Sequence, residues 1–294
     1  MNTKNIGYFY KQKLRKLTLN MIVRPNAKIN IGLNIVEKRA DGFHNLESLM
    51  VPFGLTDELK LTENKRHGAK KFELVIDGLP VGGSLDSNLV SRAYYLINAD
   101  YNLPPVRAVL KKQIPMGAGL GGGSADCAFT ITALNKMFDL KLSVEAMQRY
   151  AAMLGSDCAL FVQNKPAFAT GRGEILKPVT VNLKGYSIVI VKPDVHVNTA
   201  QAYKLLTPHK PETSIVDLID KKPEDWRDKM VNDFEAPIFE MHPMLADIKA
   251  ALYNAGAAFA SMSGSGSAIY GLFRQQPSAE SLSFNGCFVW EGRF

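Results

Sequence analysis

The sequence predicts a mixed fold of β-strands and α-helices divided between two domains. Three observations carry that expectation. Residues Ala27 to Ile35 alternate apolar and polar side chains with the period of a strand. A run with five glycines between positions 117 and 123 passes directly into a helical pattern over Ala125 to Phe138. At 294 residues, 46% of them hydrophobic, the chain is long enough for one large or two ordinary domains. A change of texture beyond Val179 puts the boundary near 180, giving domains over 21–180 and 181–294.

Residues 1–20 hold Lys4, Lys11, Lys13, Arg15 and Lys16 with no acid, and read as a disordered basic extension, or an upstream start, before a first strand at Met21. They account for five of the seven formal positive charges, so the remainder is nearly neutral. A nucleic-acid binder would keep its excess charge on the folded face, and that class is set aside. In the strand that follows, Ala27, Ile29, Ile31, Leu33 and Ile35 share one face while Lys28, Asn30 and Asn34 share the other. On a solvated face those three polar residues would carry no meaning. Asp41-Gly42 reads as a hairpin turn into a second strand near Leu46 to Phe53.

The strand-like run Val106 to Ile114 leads into the glycine loop. Ala128, Ile131, Leu134 and Phe138 give the next segment its helical spacing, with Ser124 placed to cap the helix or face an anion. Ser143 opens another helix, marked by Val144, Met147, Tyr150, Ala151 and Leu154 and stopped at Gly155. Asp157, just beyond, has the ordinary reading of an N-cap. A strand over Tyr186 to Val191 precedes surface loops and a short helix over Thr207 to Asp225. Pro243 fits the first turn of a helix through Leu245, Ile248 and Leu252 that stops at Gly256. Strand-like Ala257 to Met262 then meets a second small-residue loop, Ser263 to Ser267.

The glycine loop reads as a phosphate cradle. Glycine lets the backbone adopt φ > 0 and approach a ligand, so that N–H groups converge on an anion beside a helix N-terminus. Gly123 stands where a Walker A loop needs lysine. Gly117-x-Gly119-x-x-Gly122 formally matches the dinucleotide fingerprint, with Asp139 near the required acidic position. Such a domain would normally open on that motif, whereas here more than a hundred residues precede it. The dinucleotide reading remains the alternative at this point. Cys127, Cys158 and Cys287 form no CxxC, and the five histidines form no HExxH, so neither a disulfide framework nor a zinc site is indicated. That cysteine pattern makes a reducing cytoplasm the expected setting, and no apolar run reaches membrane-spanning length.

Pro25-Asn-Ala-Lys-Ile-Asn30, Pro115-Met-Gly-Ala-Gly-Leu-Gly-Gly-Gly-Ser124 and Ser263-Gly-Ser-Gly-Ser267 follow one another in an order that resembles the GHMP kinase superfamily. Arg39-Ala-Asp-Gly-Phe-His44 and Gly155-Ser-Asp157 make the chain similar to the members that act on a cytidine diphosphate-linked methylerythritol in the non-mevalonate route to isoprenoids. The resemblance spans roughly Met21 to Phe273. It implies a two-domain α+β fold, the N-terminal ATP-binding domain like ribosomal protein S5 and the C-terminal one a ferredoxin-like sandwich, with the active site between them. It also implies transfer of the ATP γ-phosphate to the 2-hydroxyl of the methylerythritol unit.

By the same resemblance, Pro115, Met116, Gly117, Ala118, Gly119, Leu120, Gly121, Gly122, Gly123 and Ser124 wrap the ATP phosphates, while Asn88 and Lys112 lie near the adenine. Lys28 and Asp157 correspond to the catalytic pair. Asn30, Phe43, His44, Thr199 and Tyr203 fall at substrate positions: His44 bonds to cytosine and Tyr203 stacks on it. Phe43 stands where many members have tyrosine, and Ala125-Asp126 and Cys158-Ala159 also depart from the commonest choices. ATP is the implied co-substrate with Mg²⁺, for which Ser124 is the best-placed hydroxyl. The implied partners are these two small molecules, with no nucleic acid and no membrane, and the implied state is a monomer or weak homodimer. Homoserine, mevalonate or sugar phosphorylation is the nearest alternative, and a non-catalytic nucleotide-binding protein is the alternative from another class.

Overall fold

Residues 18–278 and 282–294 are described by the structure, a computed structural model. The expected basic extension lies, for residues 1–17, outside the described residues. The first strand, β1 (Asn20–Val23), starts one residue before the expected Met21. Already at Leu19 the carbonyl accepts from the Glu63 N–H. There follow β2 (Asn26–Lys38), β3 (His44–Thr56), β4 (Glu58–Glu63), β5 (Phe72–Gly78), α1 (Leu89–Tyr101), β6 (Val106–Lys112), α2 (Gly122–Met137) and α3 (Val144–Leu154). A 3-10 turn at Ser156–Ala159 runs into α4 (Leu160–Gln163), then β7 (Ala167–Thr170) and β8 (Ile175–Pro178). The C-terminal half contains β9 (Ser187–Lys192), α5 (Thr199–Lys204), α6 (Ile215–Leu218), α7 (Glu235–Met241), α8 (Pro243–Asn254), β10 (Phe259–Met262), β11 (Ile269–Phe273) and β12 (Phe288–Arg293).

Among the described residues the strands form three four-stranded sheets, ordered β1-β4-β6-β5, β2-β3-β7-β8 and β10-β11-β9-β12. All pairs are antiparallel except β5 with β6, whose parallel pairing requires a crossover, supplied by α1. Asp57 alone separates β3 from β4 and marks where the chain passes from the second sheet to the first. The helices α1 and α2 cover the first sheet, burying Tyr94, Ile97, Ile131 and Leu134 against Leu59, Leu61 and Leu110.

The second strand departs from its simple alternation. Its ten residues Asn26 to Ile35 are all buried, so Lys28, Asn30 and Asn34 do not face solvent. Gly32, at φ 68°, interrupts the register between Ile31 and Leu33, as a bulge does. The apolar set is therefore split: Ala27, Ile29 and Ile31 enter one core, Leu33 and Ile35 another. The first of these cores joins the halves, since Ala27, Ile29 and Leu49 share it with Ile215, Trp226, Phe259 and Tyr270.

The stretch expected to be surface loops, 207–225, also contributes to the interior. Ile215, Leu218 and Ile219 are buried, and the following Trp226 is fully enclosed, donating its indole N–H to the Leu218 carbonyl at 2.8 Å. Its ring meets Phe259 edge-on at 5.7 Å. Trp226→Ala should therefore destabilise the protein by about 3–5 kcal/mol, as large-to-small replacements of buried aromatics do; denaturant unfolding measures this, and a change under about 1 kcal/mol would contradict the packing described.

Candidate active site

The glycine loop is held as irregular backbone between the two halves. Gly117, Gly119 and Gly121 take φ of 61°, 76° and 71°, a region that L side chains avoid. The alternate residues Ala118 and Leu120 point inward and are 2% and 1% exposed. They anchor the loop while the three glycines line the cleft. The loop's carbonyls are engaged from three directions: Lys28 N–H on Leu120 at 2.9 Å, Ala268 N–H on Ala118 at 3.1 Å, and Ser263 Oγ on Gly119 at 2.8 Å. A Cβ at Gly119 would lie 1.9 Å from the Ser263 carbonyl oxygen, and one at Gly121 would lie 3.1 Å from the Lys28 side chain.

The helix expected to follow at Ala125 begins at Gly122, with Gly121 as N-cap. Ser124 therefore sits inside the first turn and does not cap it. Asn88 does act as a cap, its side-chain oxygen accepting from Val90 N–H at 2.9 Å. Lys112 differs from its expected place beside adenine. Its ammonium is 1% exposed and turned into the interior, paired with Asp57 and, at 2.8 Å, with Asp126. An amine so enclosed does not reach the open cleft; it lies beneath the loop, where a Cβ on Gly122 would come within 3.3 Å of its nitrogen.

Lys28 and Asp157 do meet, Nζ to Oδ2 at 3.2 Å. The lysine is 4% exposed at its side chain and the aspartate 31%, so the carboxylate is the partner that reaches the open cleft. Lys28 also donates to Asn30 Oδ1, and Asn30 Nδ2 donates to Ser48 Oγ at 2.8 Å. Ser48 Oγ–H donates to the Gly32 carbonyl at 2.7 Å, and Tyr270 donates to the Asn30 carbonyl at 2.9 Å. Asp157 is not an N-cap: it lies in the 3-10 turn preceded by extended Gly155, and Gly173 approaches it from the neighbouring turn.

The substrate positions converge on the same cleft, a volume of about 920 Å³ lined by residues of both halves. Thr199 and Tyr203 stand one turn apart on α5. Thr199 Oγ1 and Ser265 Oγ share a hydrogen bond at 2.9 Å. The His44 and Tyr203 rings, 159 residues apart in sequence, stack with centroids 5.2 Å apart and planes 21° apart. They touch each other, so no third ring fits between them as they stand. Phe234 closes the far side of Tyr203 edge-on at 4.9 Å. Burial, with the Asp157 charge adding to it, pushes the Tyr203 phenol up to about 12. That group is therefore a neutral donor at ordinary pH.

Phe43 lies at the rim, 53% exposed, with the Arg172 guanidinium 4.8 Å from its ring centre. Its hairpin is set by Arg39, which grips Asp41 with three N–H contacts of 2.9–3.1 Å. Hydrogen bonding to that guanidinium holds the Asp41 carboxyl below its ordinary value. No group of three or more His, Cys, Asp or Glu is arranged to hold a metal among the described residues. Mg²⁺ needs no such cage, since it binds through phosphates, water and one or two protein oxygens. Asp157 lines the cleft and is a carboxylate available for so limited a role, whereas Ser124 is not among the residues that line it.

Residues 88–171 match the family model of the GHMP kinases N terminal domain, and residues 214–290 match that of the GHMP kinases C terminal. The chain belongs to the GHMP kinases. Relatives named 4-diphosphocytidyl-2-C-methyl-D-erythritol kinase include one from Bacteroides fragilis, 47% identical over 92% of this chain and 98% of its own, and one from Bacteroides thetaiotaomicron, 46% identical over 93% and 100%. A crystal structure of 4-(cytidine 5'-diphospho)-2C-methyl-D-erythritol kinase superposes with a TM-score of 0.71 at 30% identity, covering 86% of this chain and 90% of that one.

The geometry at Gly119 gives a direct test. Gly119→Ala forces a methyl group into the Ser263 carbonyl and a strained φ, at about 1–3 kcal/mol for the backbone alone, so ATP affinity measured by calorimetry should fall roughly tenfold or more. Gly82→Ala, where nothing lies within 4 Å of the added carbon, should not change it. Equal ATP affinity in both variants would show that the loop's close approach has no part in binding.

Proposed function

We propose that this protein is an ATP-dependent kinase that phosphorylates the 2-hydroxyl of 4-diphosphocytidyl-2-C-methyl-D-erythritol, releasing ADP. The observation that carries the reading is the Lys28–Asp157 pair, set at 3.2 Å in a cleft with the glycine loop on one side and the His44–Tyr203 rings on the other. A non-catalytic nucleotide binder has no use for a buried ammonium matched to a half-open carboxylate at that spot. The curated relatives of the same name match nearly end to end, which favours this substrate over homoserine, mevalonate or a sugar.

In this reading the N–H groups along Gly117 to Ser124 and the N-terminus of α2 bind the phosphates. Asp157 would help hold the Mg²⁺ that accompanies ATP, which when bound would supply neutralisation of phosphate charge. Asp157 accepts the proton of the substrate hydroxyl or orients that hydroxyl for attack. Lys28 offsets negative charge on the reacting oxygens. Asn30 fixes the Lys28 ammonium and offers its second amide hydrogen to the substrate. The cytosine packs against the His44–Tyr203 pair either at its open edge or by parting the rings, with stacking worth about 1–3 kcal/mol. Phe43 and Arg172 frame the mouth. Asn88 supports the loop by starting α1 beside Gly123, whose added Cβ would meet Leu89 at 3.8 Å. The assembly works on two small molecules in a cytoplasmic setting.

ADP release measured with the cytidine diphosphate substrate beside homoserine, mevalonate and galactose tests the acceptor. Turnover should be confined to the cytidylyl substrate, and faster turnover of any other acceptor would overturn the assignment. Asp157→Asn and Lys28→Met should each lower kcat by roughly a hundredfold or more while ATP still binds, since removing one positioned charge or proton acceptor costs about 2.7–4 kcal/mol of barrier. Near-normal kcat in both variants would remove them from the reaction.

A further inference from the structure

Beneath the phosphate loop lies an ionic cluster that no step above uses. Asp57, Lys112 and Asp126 are 0%, 1% and 4% exposed at their side chains. Burying charges is unfavourable unless they are matched and hydrogen-bonded, so a cluster of this kind persists where its geometry serves a purpose or its neighbours demand it. The loop is what this geometry serves. One oxygen of Asp57 accepts the N–H groups of Gln113 and Ile114, the two residues that lead into Pro115. Its other oxygen accepts from the Lys112 ammonium. The same ammonium donates to Asp126 Oδ2, in the second turn of α2, at 2.8 Å. One nitrogen therefore ties the entry of the loop to its exit.

The cluster is also directly under the loop. A Cβ placed on Gly122 would lie 3.3 Å from Lys112 Nζ. Asp57 is itself fixed from behind, its N–H donating to the Pro25 carbonyl at the start of the strand that bears Lys28. The Lys112 carbonyl accepts from Leu79 N–H at 3.0 Å, which holds its backbone independently of the side chain. We propose that Asp57, Lys112 and Asp126 form a clasp that holds the phosphate loop in its anion-accepting shape, making them positioning residues that set ATP affinity without touching the nucleotide.

The balance of charge fits a role in shape. Two carboxylates share one ammonium, and Asp126 Oδ1 has no hydrogen-bond partner among the described residues. Burial first, tempered by the Lys112 charge, pushes the Asp126 carboxyl up to about 7. A neutral side chain that still accepts from Lys112 would therefore keep the tie. A side chain that cannot accept would cut it, leaving Lys112 matched one to one by Asp57.

This inference rests on the kinase reading only through ATP, so binding of ATP itself, measured by calorimetry, is the test. Asp126→Ala should raise the ATP dissociation constant roughly tenfold or more, equivalent to about 1.4 kcal/mol. Asp126→Asn should restore it to within about threefold of the parent protein, about 0.65 kcal/mol. In steady-state assays the rise should fall on KM for ATP and not on KM for the cytidylyl substrate. Thermal melts establish that each variant is folded. If Asp126→Ala does not fold, Asp57→Asn decides: it keeps an acceptor for the two backbone N–H groups but weakens the hold on Lys112, and should also weaken ATP selectively. Unchanged ATP affinity in the folded variant, or equal losses for both substrates, would make the cluster an ordinary core ion pair. Absence of ATP binding in the parent protein would instead count against the kinase reading.

Discussion

Three hydrogen bonds onto successive carbonyls, from Lys28 to Leu120, from Ser263 to Gly119 and from Ala268 to Ala118, fix the backbone on which the site depends. The loop has no ladder or helix of its own to satisfy these groups, and a buried carbonyl left unpaired is costly. Each donor comes from an element committed elsewhere: β2 from the N-terminal half, β10 and β11 and the turn between them from the C-terminal half. Chain segments that lie 92 to 150 residues from the carbonyls they bind must therefore be in register before the loop has its shape. That shape leaves the opposite side of its backbone to the cleft.

The same ties place the chemical groups. The residue whose N–H anchors Leu120 is Lys28, so the ammonium and the phosphate cradle share one strand position. Ser263 Oγ, which donates to Gly119, also accepts from the Asn30 N–H at 3.2 Å, and Asn30 in turn steadies the Lys28 ammonium. Gly121 must be glycine because Lys28 and Phe161 occupy the space beside it. In this arrangement anion binding and charge placement are one packing problem.

Much of this was legible in the chain. The glycine run, the strand from Ala27 and the late small-residue loop announce themselves through glycine content and a period of two, because those features are local. His44 and Tyr203 were expected together only through resemblance to a family, since nothing in their flanking residues says that two rings 159 positions apart will stack. The burial of Lys112 was missed for a similar reason: a lysine ending a strand looks solvated, and its partners Asp57 and Asp126 are distant in sequence. Likewise the polar face of β2 looked like any half-exposed strand, because what covers it is distant in sequence: the glycine loop and Asp157 at Lys28, Gly264 at Asn30 and Asp233 at Asn34. Arg172 and Ser48 gave no signal beyond their neighbours, and the bulge at Gly32 that splits the apolar face of β2 was hidden within a regular alternation.

The account stands on the claim that the backbone of residues 117–121 receives the nucleotide. Selective isotope labelling of the glycine amides, followed as ATP and Mg²⁺ are added, reads this directly. The resonances of Gly117, Gly119 and Gly121 should move in step with nucleotide saturation, while those of Gly256 and Gly286, which do not line the cleft, stay in place. Unmoved loop glycines under nucleotide concentrations that saturate turnover would contradict it.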